Sequence, residues 1–520
     1  DLTRNDKSRM GPSGGPITKD NTSVEYYGTI FALAESHHEP GVIWAGSDDG
    51  RVHLTRDGGE SWQDVTPRGL PEWAQVNSLE INPFEPGGVY LAATRYKSDD
   101  FTPYLYKTTN WGKSWTRITN GIPDTYFTRA LRADPGRAGL LYAGTEWGIF
   151  YSTNDGRSWE SLQLNLPVVS ITDLAIKNDN LIAATQGRGY WILDDLAVLQ
   201  QLDGDVRSSD VHLYTPQNTY RLVAGGRTDN PGNNGTNPRT GVSIFYSLAE
   251  ELPGDSDLTL EVFATGDAEA IWTWTRRPAD GEDEDGDADG PETRVLTADA
   301  GLNRYVWDLR YPPMERFDGL ILWIDNTEGP RAVPGEYRAR LTAGDVVRET
   351  SFEVLPDPRS SATAADYAAQ FDFLVEVRDL LSKVHGEITR IRALRAQLET
   401  VKARVEDDDA SDALVAEITS VIDTITAIEE ALYQTRNQSR QDPLNYPIRL
   451  NNKLSSLFQT VDTGDARPTD QAVAVKAELG AAVRRELEAL EYVWTDSVPE
   501  LNRLIDAAGL TLIDLPEPAQ

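Results

Sequence analysis

The stretch TRDGGESW at residues 55–62 decides the fold of this chain, because two further stretches repeat its pattern. They are TTNWGKSW at residues 108–115 and STNDGRSW at residues 152–159. The shared form is Ser/Thr-x-Asp/Asn-x-Gly-x-x-Trp, with steps of 53 residues (Asp57 to Asn110) and 44 residues (Asn110 to Asn154). A repeat of this length fits one four-stranded blade of a β-propeller.

Each position of this box pattern has a physical role. The Asp or Asn side chain can close a tight turn by bonding the backbone two residues on, and the Gly supplies a positive φ. The Trp begins the next strand, and we expect its ring to lie between neighbouring blades. We therefore interpret the box residues as scaffold and not as catalytic groups: Asp57, Gly59, Trp62, Asn110, Gly112, Trp115, Asn154, Gly156 and Trp159.

The rest of the chain changes its periodicity twice. Short alternating strands form four units in the first 200 residues, and the fourth unit has Asp194-Asp195 in place of a box. Short strands return after residue 242, and a three-and-four spacing of apolar residues follows residue 356. The predicted fold is multidomain and mainly β: a loop at 1–24, four blades at 25–202, a linker at 203–241, an immunoglobulin-like β-sandwich at 242–355 and an α-helical bundle at 356–520.

Four blades do not comfortably close a ring, and an open stack of four sheets would leave two unpaired faces. Apolar faces of that size rarely stay uncovered. We expect the missing blades to be partners, supplied from upstream or by a separate chain. No signal peptide is visible at the start, residues 1–20 resemble an internal loop, and we expect the natural polypeptide to begin upstream.

The composition excludes several classes of function. The chain has 49 basic and 83 acidic residues and a formal net charge of −34, which predicts that nucleic acid is not a partner. Cysteine is absent and there are only 5 histidines, so neither thiol chemistry nor a multi-histidine zinc site is expected. No apolar run is long enough to span a membrane.

One rim of the blades is the expected location of a site. Loops between second and third strands, and segments that lead into first strands, lie opposite the boxes, and such loops commonly bind ligands. Their mixture of aromatic rings, arginines and carboxylates suits a peptide, a glycan or a protein partner, although a merely solvated rim remains an alternative. The predicted rim residues are Glu25, Tyr26, Trp73, Arg95, Tyr96, Tyr126, Arg129, Glu146, Trp147 and Arg188, and the catalytic candidates are Asp49 and Glu146.

An acidic run at residues 281–290 is the one candidate for a metal site. Asp283, Asp285 and Asp287 stand at alternate positions, where their carboxylates can chelate Ca²⁺. Counted from Asp285, the twelfth position is Leu296 and not Glu, so the run fails the EF-hand pattern. A solvated hairpin loop is the preferred interpretation, and no cofactor is expected.

The box resembles the Asp-box, or BNR repeat, of sialidases, sortilin-type (VPS10-like) receptors and xyloglucanase-type glycosidases. Residues 302–312 and 333–341 resemble the FlgD-type immunoglobulin-like module. The segment DPLNYPIRLNNKL at 442–454 resembles a family of large exported bacterial proteins described as glycosyl hydrolase-like, so this chain is similar to the C-terminal half of that family. The resemblance implies an exported protein. It also implies that this chain carries only an arc of a propeller, because Asp-box propellers have more than four blades.

Two functional hypotheses follow. The preferred one is an exported, non-catalytic propeller protein that binds a peptide, a glycan or a partner subunit at its rim. The alternative is a glycoside hydrolase of the sialidase or xyloglucanase type that uses rim carboxylates. A sialidase needs three arginines, for which Arg95, Arg129 and Arg188 are available, but no Arg-Ile-Pro signature precedes the first blade. The resemblance to xyloglucanases implies catalytic Asp residues on two different parts of a tandem propeller.

Overall fold

The computed structural model describes residues 1–9, 11–12, 28–222, 237, 240–253, 256–276, 296–323, 327–405 and 412–514. The chain divides into two units, Asp1–Tyr214 and Thr215–Gln520. The fold is multidomain and mainly β, with a helical C-terminal region, as the sequence predicted.

The first unit is built from four antiparallel sheets, which we call blades 1 to 4. Blade 1 consists of β1 (Ile30–Glu35), β2 (Ile43–Ser47), β3 (Val52–Thr55) and β4 (Gln63–Asp64); blade 2 of β5 (Gln75–Ile81), β6 (Val89–Arg95), β7 (Asp100–Thr108) and β8 (Thr116–Arg117); blade 3 of β9 (Thr128–Ala133), β10 (Leu141–Thr145), β11 (Gly148–Ser152) and β12 (Glu160–Ser161); and blade 4 of β13 (Ile171–Lys177), β14 (Asn180–Thr185) and β15 (Tyr190–Leu193). Short elements complete the unit: α1 (Ala197–Gln201), α2 (Gly204–Arg207) and β16 (Val211–Leu213).

Successive blades pack face to face. Separate apolar clusters join blade 1 to blade 2, blade 2 to blade 3 and blade 3 to blade 4. Small residues allow the close approach: a Cβ built on Gly46 of β2 would lie 2.4 Å from the Val76 side chain of β5. The innermost strands β1, β5, β9 and β13 are neighbours in that order, which is the radial arrangement expected of a propeller.

In the box turns the glycines have the predicted positive φ, but the Asp side chain bonds a backbone N–H further along the chain than predicted. Gly59, Gly112 and Gly156 have φ values of 97°, 74° and 78°. The Asp57 carboxylate accepts a hydrogen bond from the backbone N–H of Ser61 at 2.9 Å, four residues on and not two as predicted. Hydrogen bonds from Ser61, first of all from its hydroxyl, lower the pKa of Asp57 to about 2. The turn is therefore a self-contained unit, as a scaffold role requires.

Blade 4 ends differently because its box is absent. Asp195 has a φ of 63°, and its carboxylate accepts a hydrogen bond from Ala197 N–H at 3.0 Å, at the start of α1. The chain therefore enters helix α1 at the point where each of the other blades forms its fourth strand. No fourth strand pairs with β15 among the described residues.

The second unit joins two sheets to a set of helices. Its strands are β17 (Thr219–Arg221), β18 (Val242–Leu248), β19 (Leu258–Ala264), β20 (Trp272–Thr275), β21 (Gly301–Trp307), β22 (Gly335–Ala343) and β23 (Val346–Pro356). β18 pairs with β21, and the other strands form a sheet in the order β17-β23-β22-β19-β20. Trp307 of the first sheet contacts Tyr337 and Phe352 of the second, so the two sheets pack face to face.

The helices are α3 (Ala364–Val405), α4 (Asp412–Leu432), α5 (Leu450–Asp462), α6 (Asp470–Tyr492) and α7 (Val498–Ala507). The apolar stripes predicted from their spacing form one shared core. Pro443 and Pro447 lie between α4 and α5, where they prevent a continuous helix. No helix in the described part of the chain is long and apolar enough to cross a membrane.

The linker predicted at 203–241 contains ordered elements: β17 pairs in parallel with β23, and the buried Arg221 guanidinium donates to the Gln370 side chain at 2.8 Å. The calcium candidates Asp283, Asp285 and Asp287 lie outside the described residues, so that site remains a prediction. Within the described ranges, no group of three or more His, Asp or Glu residues is placed to hold a metal ion.

Candidate functional site

A cleft on the predicted rim brings together side chains of blades 2 and 3. Its volume is about 540 Å³, and its lining residues are Tyr96, Phe101, Thr125, Phe127, Arg129, Glu146 and Trp147. Tyr96 and Phe101 come from the second-to-third strand connection of blade 2 and the strand after it. Phe127 and Arg129 lead into or begin blade 3, and Glu146 and Trp147 form its tight second-to-third turn. Four predicted rim residues therefore share one cleft.

An ion pair holds the centre of this cleft. The Arg129 guanidinium donates to Oε2 of Glu146 from Nε at 3.1 Å and from Nη2 at 2.9 Å. The Ser170 hydroxyl donates to the same oxygen at 2.7 Å, from the segment that leads into blade 4. Both ionic side chains are largely but not fully buried. The pair is thus fixed by three hydrogen bonds while it stays at the surface of the cleft.

Aromatic rings form the walls. The Tyr96 and Phe127 rings stack with centroids 4.9 Å apart and planes 15° apart, and Arg129 Cζ lies 5.0 Å from each centroid. Trp147 is 47% exposed and Phe101 is 45% exposed. Rings with free faces beside a polar pair suit a ligand that has both flat apolar faces and hydroxyl groups, as sugars do.

Asp49 does not belong to this cleft. It is fully buried, and its carboxylate accepts hydrogen bonds from Arg4 N–H at 2.7 Å and from the Ser47 hydroxyl at 2.6 Å. It therefore anchors the N-terminal segment on blade 1, and its catalytic role stays a prediction. The neighbouring Asp48 is also structural: burial raises its pKa, while hydrogen bonds from Thr29 and Gly28 oppose that rise.

The other predicted rim residues are more scattered. Arg95 donates to the Glu72 carbonyl at 3.1 Å and pairs with Asp100 at 3.4 Å, so its guanidinium already has partners outside the cleft. The Tyr126 ring lies 6.4 Å from that of Trp147, at the edge of the cleft. Trp73 lies 5.7 Å from the Arg4 guanidinium carbon, and Arg188 belongs to blade 4. Glu25 and Tyr26 lie outside the described residues.

Four residues of this neighbourhood were not among the predicted rim residues: Phe101, Thr125, Phe127 and Ser170. Phe101 lies within the long strand β7, and Phe127 follows the predicted Tyr126 directly. Ser170 carried no signal, because its contact with Glu146 spans 24 residues of sequence. The position of Phe127 beside a predicted rim residue was the one local signal for it.

A second set of charged groups lies on the innermost strands. Arg132 of β9 donates to Asp173 of β13 at 2.6 Å and lies 3.9 Å from Glu80 of β5. Burial raises the pKa of Glu80 to about 6, although Arg132 opposes the rise. These residues connect three blades, and we regard them as part of the framework.

No protein-family model matches the chain. Curated relatives include a xyloglucanase of Paenibacillus sp, 24% identical over 39% of this chain and 20% of the relative, and Xyloglucanase Xgh74A of Acetivibrio thermocellus, 23% identical over 27% and 20%. A probable oligoxyloglucan-reducing end-specific xyloglucanase of Neosartorya fischeri is 31% identical over 107 residues, 18% of this chain and 12% of the relative. The chain spans a fifth or less of these relatives' length.

Solved structures also resemble parts of the chain. YCF48 bound to D1 peptide is 20% identical, with 32% of this chain and 52% of that chain covered and a TM-score of 0.26. The GH74 xyloglucanase from Xanthomonas campestris is 13% identical, with 63% and 44% covered and a TM-score of 0.27.

The curated relatives correct the preferred functional hypothesis. All three are named as xyloglucanases, which are enzymes. The prediction of a non-catalytic binding protein is therefore wrong, and the findings favour the alternative of a glycoside hydrolase.

Proposed function

We propose that this chain is part of a glycoside hydrolase that acts on a neutral, glucan-type polysaccharide, and that the cleft of blades 2 and 3 binds the sugar chain. The observation that carries the proposal is the pairing of free aromatic faces on Trp147 and Phe101 with a fixed carboxylate, Glu146, in one cleft. The names of the curated relatives support the same class of substrate.

The charge of the cleft favours a neutral substrate over an acidic one. Arg129, the single arginine among the lining residues, is already paired with Glu146. A sialic acid or uronic acid would therefore find no uncommitted guanidinium in this lining. The net charge of −34 adds a general repulsion of polyanions. These points argue against the sialidase form of the hypothesis.

Hydrolysis requires two carboxyl groups, and the described lining supplies one. Glycosidases place the two groups about 5–5.5 Å or about 6.5–9.5 Å apart, on either side of the scissile bond. We propose that Glu146 is one of them and that the second comes from blades outside this chain. The resemblance to xyloglucanases implies catalytic Asp residues on two parts of a tandem propeller. The division between two parts supports this proposal, whereas a Glu at position 146 departs from the Asp of that pattern.

The finer family features are proposals as well. We infer that the blades are of the Asp-box type shared with sortilin-like proteins, because three box turns have the same hydrogen bonds. We infer that the two-sheet module is FlgD-like, from the residues that resemble that module. We also propose that the protein is bacterial and exported, because a polysaccharide substrate is met outside the cell.

Release of reducing ends from soluble xyloglucan tests the proposal. The natural protein should hydrolyse it, and Glu146→Gln should lower the rate at least 100-fold while the protein is still retarded in a xyloglucan-containing gel. Glu160→Gln, on the outer strand β12, is the matched control and should keep full activity. If neither hydrolysis nor retardation is seen, or if Glu160→Gln is equally inactive, the proposal fails.

A further inference from the structure

A segment of the second unit crosses the helices without forming a regular element. Residues 312–323, which we call the strap, follow β21 and contain neither helix nor strand. Four apolar side chains of the strap are at most 9% exposed and belong to the shared helical core: Met314, Phe317, Leu320 and Leu322. The strap is therefore held by its contacts with the helices and not by pairing in a sheet.

Side chains of the helical region bond the backbone of the strap. The hydroxyl of Tyr433, directly after α4, accepts a hydrogen bond from the Ile321 N–H at 3.2 Å. Asn452 of α5 bonds both backbone groups of Trp323: its Oδ1 accepts from the N–H at 2.7 Å, and its Nδ2 donates to the carbonyl at 3.0 Å. Asn452 belongs to the segment DPLNYPIRLNNKL, so part of that segment serves to hold the strap.

His385 of α3 lies against the strap and uses both of its ring nitrogens. It is 1% exposed, and its Nδ1 lies 2.6 Å from the Glu315 carbonyl oxygen. Because a carbonyl oxygen only accepts, Nδ1 carries a proton and donates it. Nε2 lies 3.3 Å from Nδ2 of Asn451, and in the neutral ring it accepts a hydrogen bond from that amide. The neutral imidazole thus satisfies both contacts.

The orientation of the Asn451 side chain is fixed by a second bond. Its Oδ1 accepts the backbone N–H of Asn452 at 2.7 Å, so its amide nitrogen is the atom that faces His385. A proton on Nε2 would place one donor against another. Turning the Asn451 amide over would remove that conflict but break the bond from Asn452, the residue that holds Trp323. Protonation of His385 therefore weakens the attachment of the strap by either route.

The charged groups around His385 also oppose its protonation. Arg316 of the strap acts on the ring electrostatically, and Arg392 of α3 lies across the strap's phenylalanine ring, which packs edge-on against the imidazole. The α4 carboxylate Glu429 is already paired with Arg392, and α5 faces the ring with the uncharged amide described above. Burial lowers the pKa of His385, the Glu315 carbonyl opposes that fall, and Arg316 adds to it.

We propose that the strap is a pH-sensitive latch, which protonation of His385 releases from the helices on mild acidification. The released ring takes up its proton near the ordinary value of about 6.5, whereas the docked ring resists it. The latch is therefore closed above about pH 6.5, and its opening constant rises about tenfold for each pH unit below that value until the docked ring itself is protonated. His385 is the one histidine of the sequence after residue 212. This inference does not depend on the proposed hydrolase activity.

Hydrogen exchange of the 520-residue chain at pH 7, 6 and 5, corrected for the intrinsic pH dependence of exchange, tests the latch. Protection of the Ile321 and Trp323 amides should fall about tenfold between pH 6 and pH 5. The amides of β22, which pairs with strands on both sides in the same unit, are the control and should keep their protection. No fall at the strap, or an equal fall in β22, would overturn the inference.

Two variants separate a latch from a purely structural contact. Asn451→Asp keeps an oxygen for the Asn452 N–H and sets a second oxygen against Nε2, where it accepts the added proton's hydrogen bond. The strap of this variant should stay protected at pH 5. His385→Gln cannot titrate, and its strap protection should not vary with pH. If Asn451→Asp lowers strap protection equally at every pH, or if the fall at pH 5 persists in His385→Gln, the latch is wrong.

Discussion

Replacing Trp147 by alanine is expected to weaken sugar binding about tenfold. A tryptophan offers up to roughly 250 Å² of contact area, of which 47% is exposed here, so about 120 Å² is free for a ligand. A sugar ring covers one face, about half of that area, and at about 25 cal/mol per Å² this contributes about 1.5 kcal/mol. Each 1.4 kcal/mol changes a dissociation constant about tenfold.

Isothermal titration calorimetry with a xyloglucan oligosaccharide measures this ratio. Phe101→Ala should have a similar effect, because its exposed fraction is nearly the same. Phe84→Ala is the matched control, since Phe84 is 48% exposed but precedes the second strand of blade 2, away from the cleft. The reasoning is refuted if Trp147→Ala changes the dissociation constant less than twofold, or if Phe84→Ala has an equal effect.

Three further predictions concern stability, each read by hydrogen exchange in a urea series. Thr108→Ala removes the buried hydroxyl that accepts the Gly112 N–H at 3.0 Å, and should destabilise the second box turn by about 1–2 kcal/mol. The pKa of Glu80 is raised from an ordinary 4.5 to about 6, so the folded state binds the proton more tightly than the unfolded state. Its protonation therefore stabilises the fold by about 2 kcal/mol below pH 4.5, and this stabilisation is lost as the pH rises through 6. Glu80→Gln should abolish that pH dependence. Asp462→Asn removes the buried carboxylate that Arg310 and Arg331 share, leaves Arg331 only Asp465 at 3.9 Å, and should cost the second unit about 3–5 kcal/mol. Glu328→Gln, at the exposed ion pair with Arg310, should cost less than about 1 kcal/mol.

The local features of the first unit could be predicted from the sequence. The box turn depends on a side-chain oxygen, a glycine and a tryptophan within eight residues, so its pattern is visible without any tertiary information. The alternation of strands and loops then placed Tyr96, Arg129, Glu146 and Trp147 on one rim, and the structure brings them into one cleft. Periodicity alone was sufficient for this step because every blade repeats the same topology.

The features that depend on distant contacts could not be predicted. Asp49 is buried because the backbone of Arg4, 45 residues away, folds onto its carboxylate. Arg221 lies in a stretch rich in Gly, Asn and Pro, yet its guanidinium donates to Gln370, 149 residues later. No local pattern encodes either contact. The choice between binding and catalysis depended likewise on relatives and not on any motif within the chain.

Thiol labelling tests the open arc most directly. Because the chain contains no cysteine, Leu33→Cys, Leu79→Cys and Leu131→Cys each present a single thiol at equivalent positions of three blades. In the isolated chain, maleimide should modify Leu33→Cys at the rate of a free thiol, and the other two at least 100-fold more slowly, because their thiols react only after local opening. Equal protection of all three positions would mean that the first unit closes by itself, which would contradict the account of an incomplete propeller.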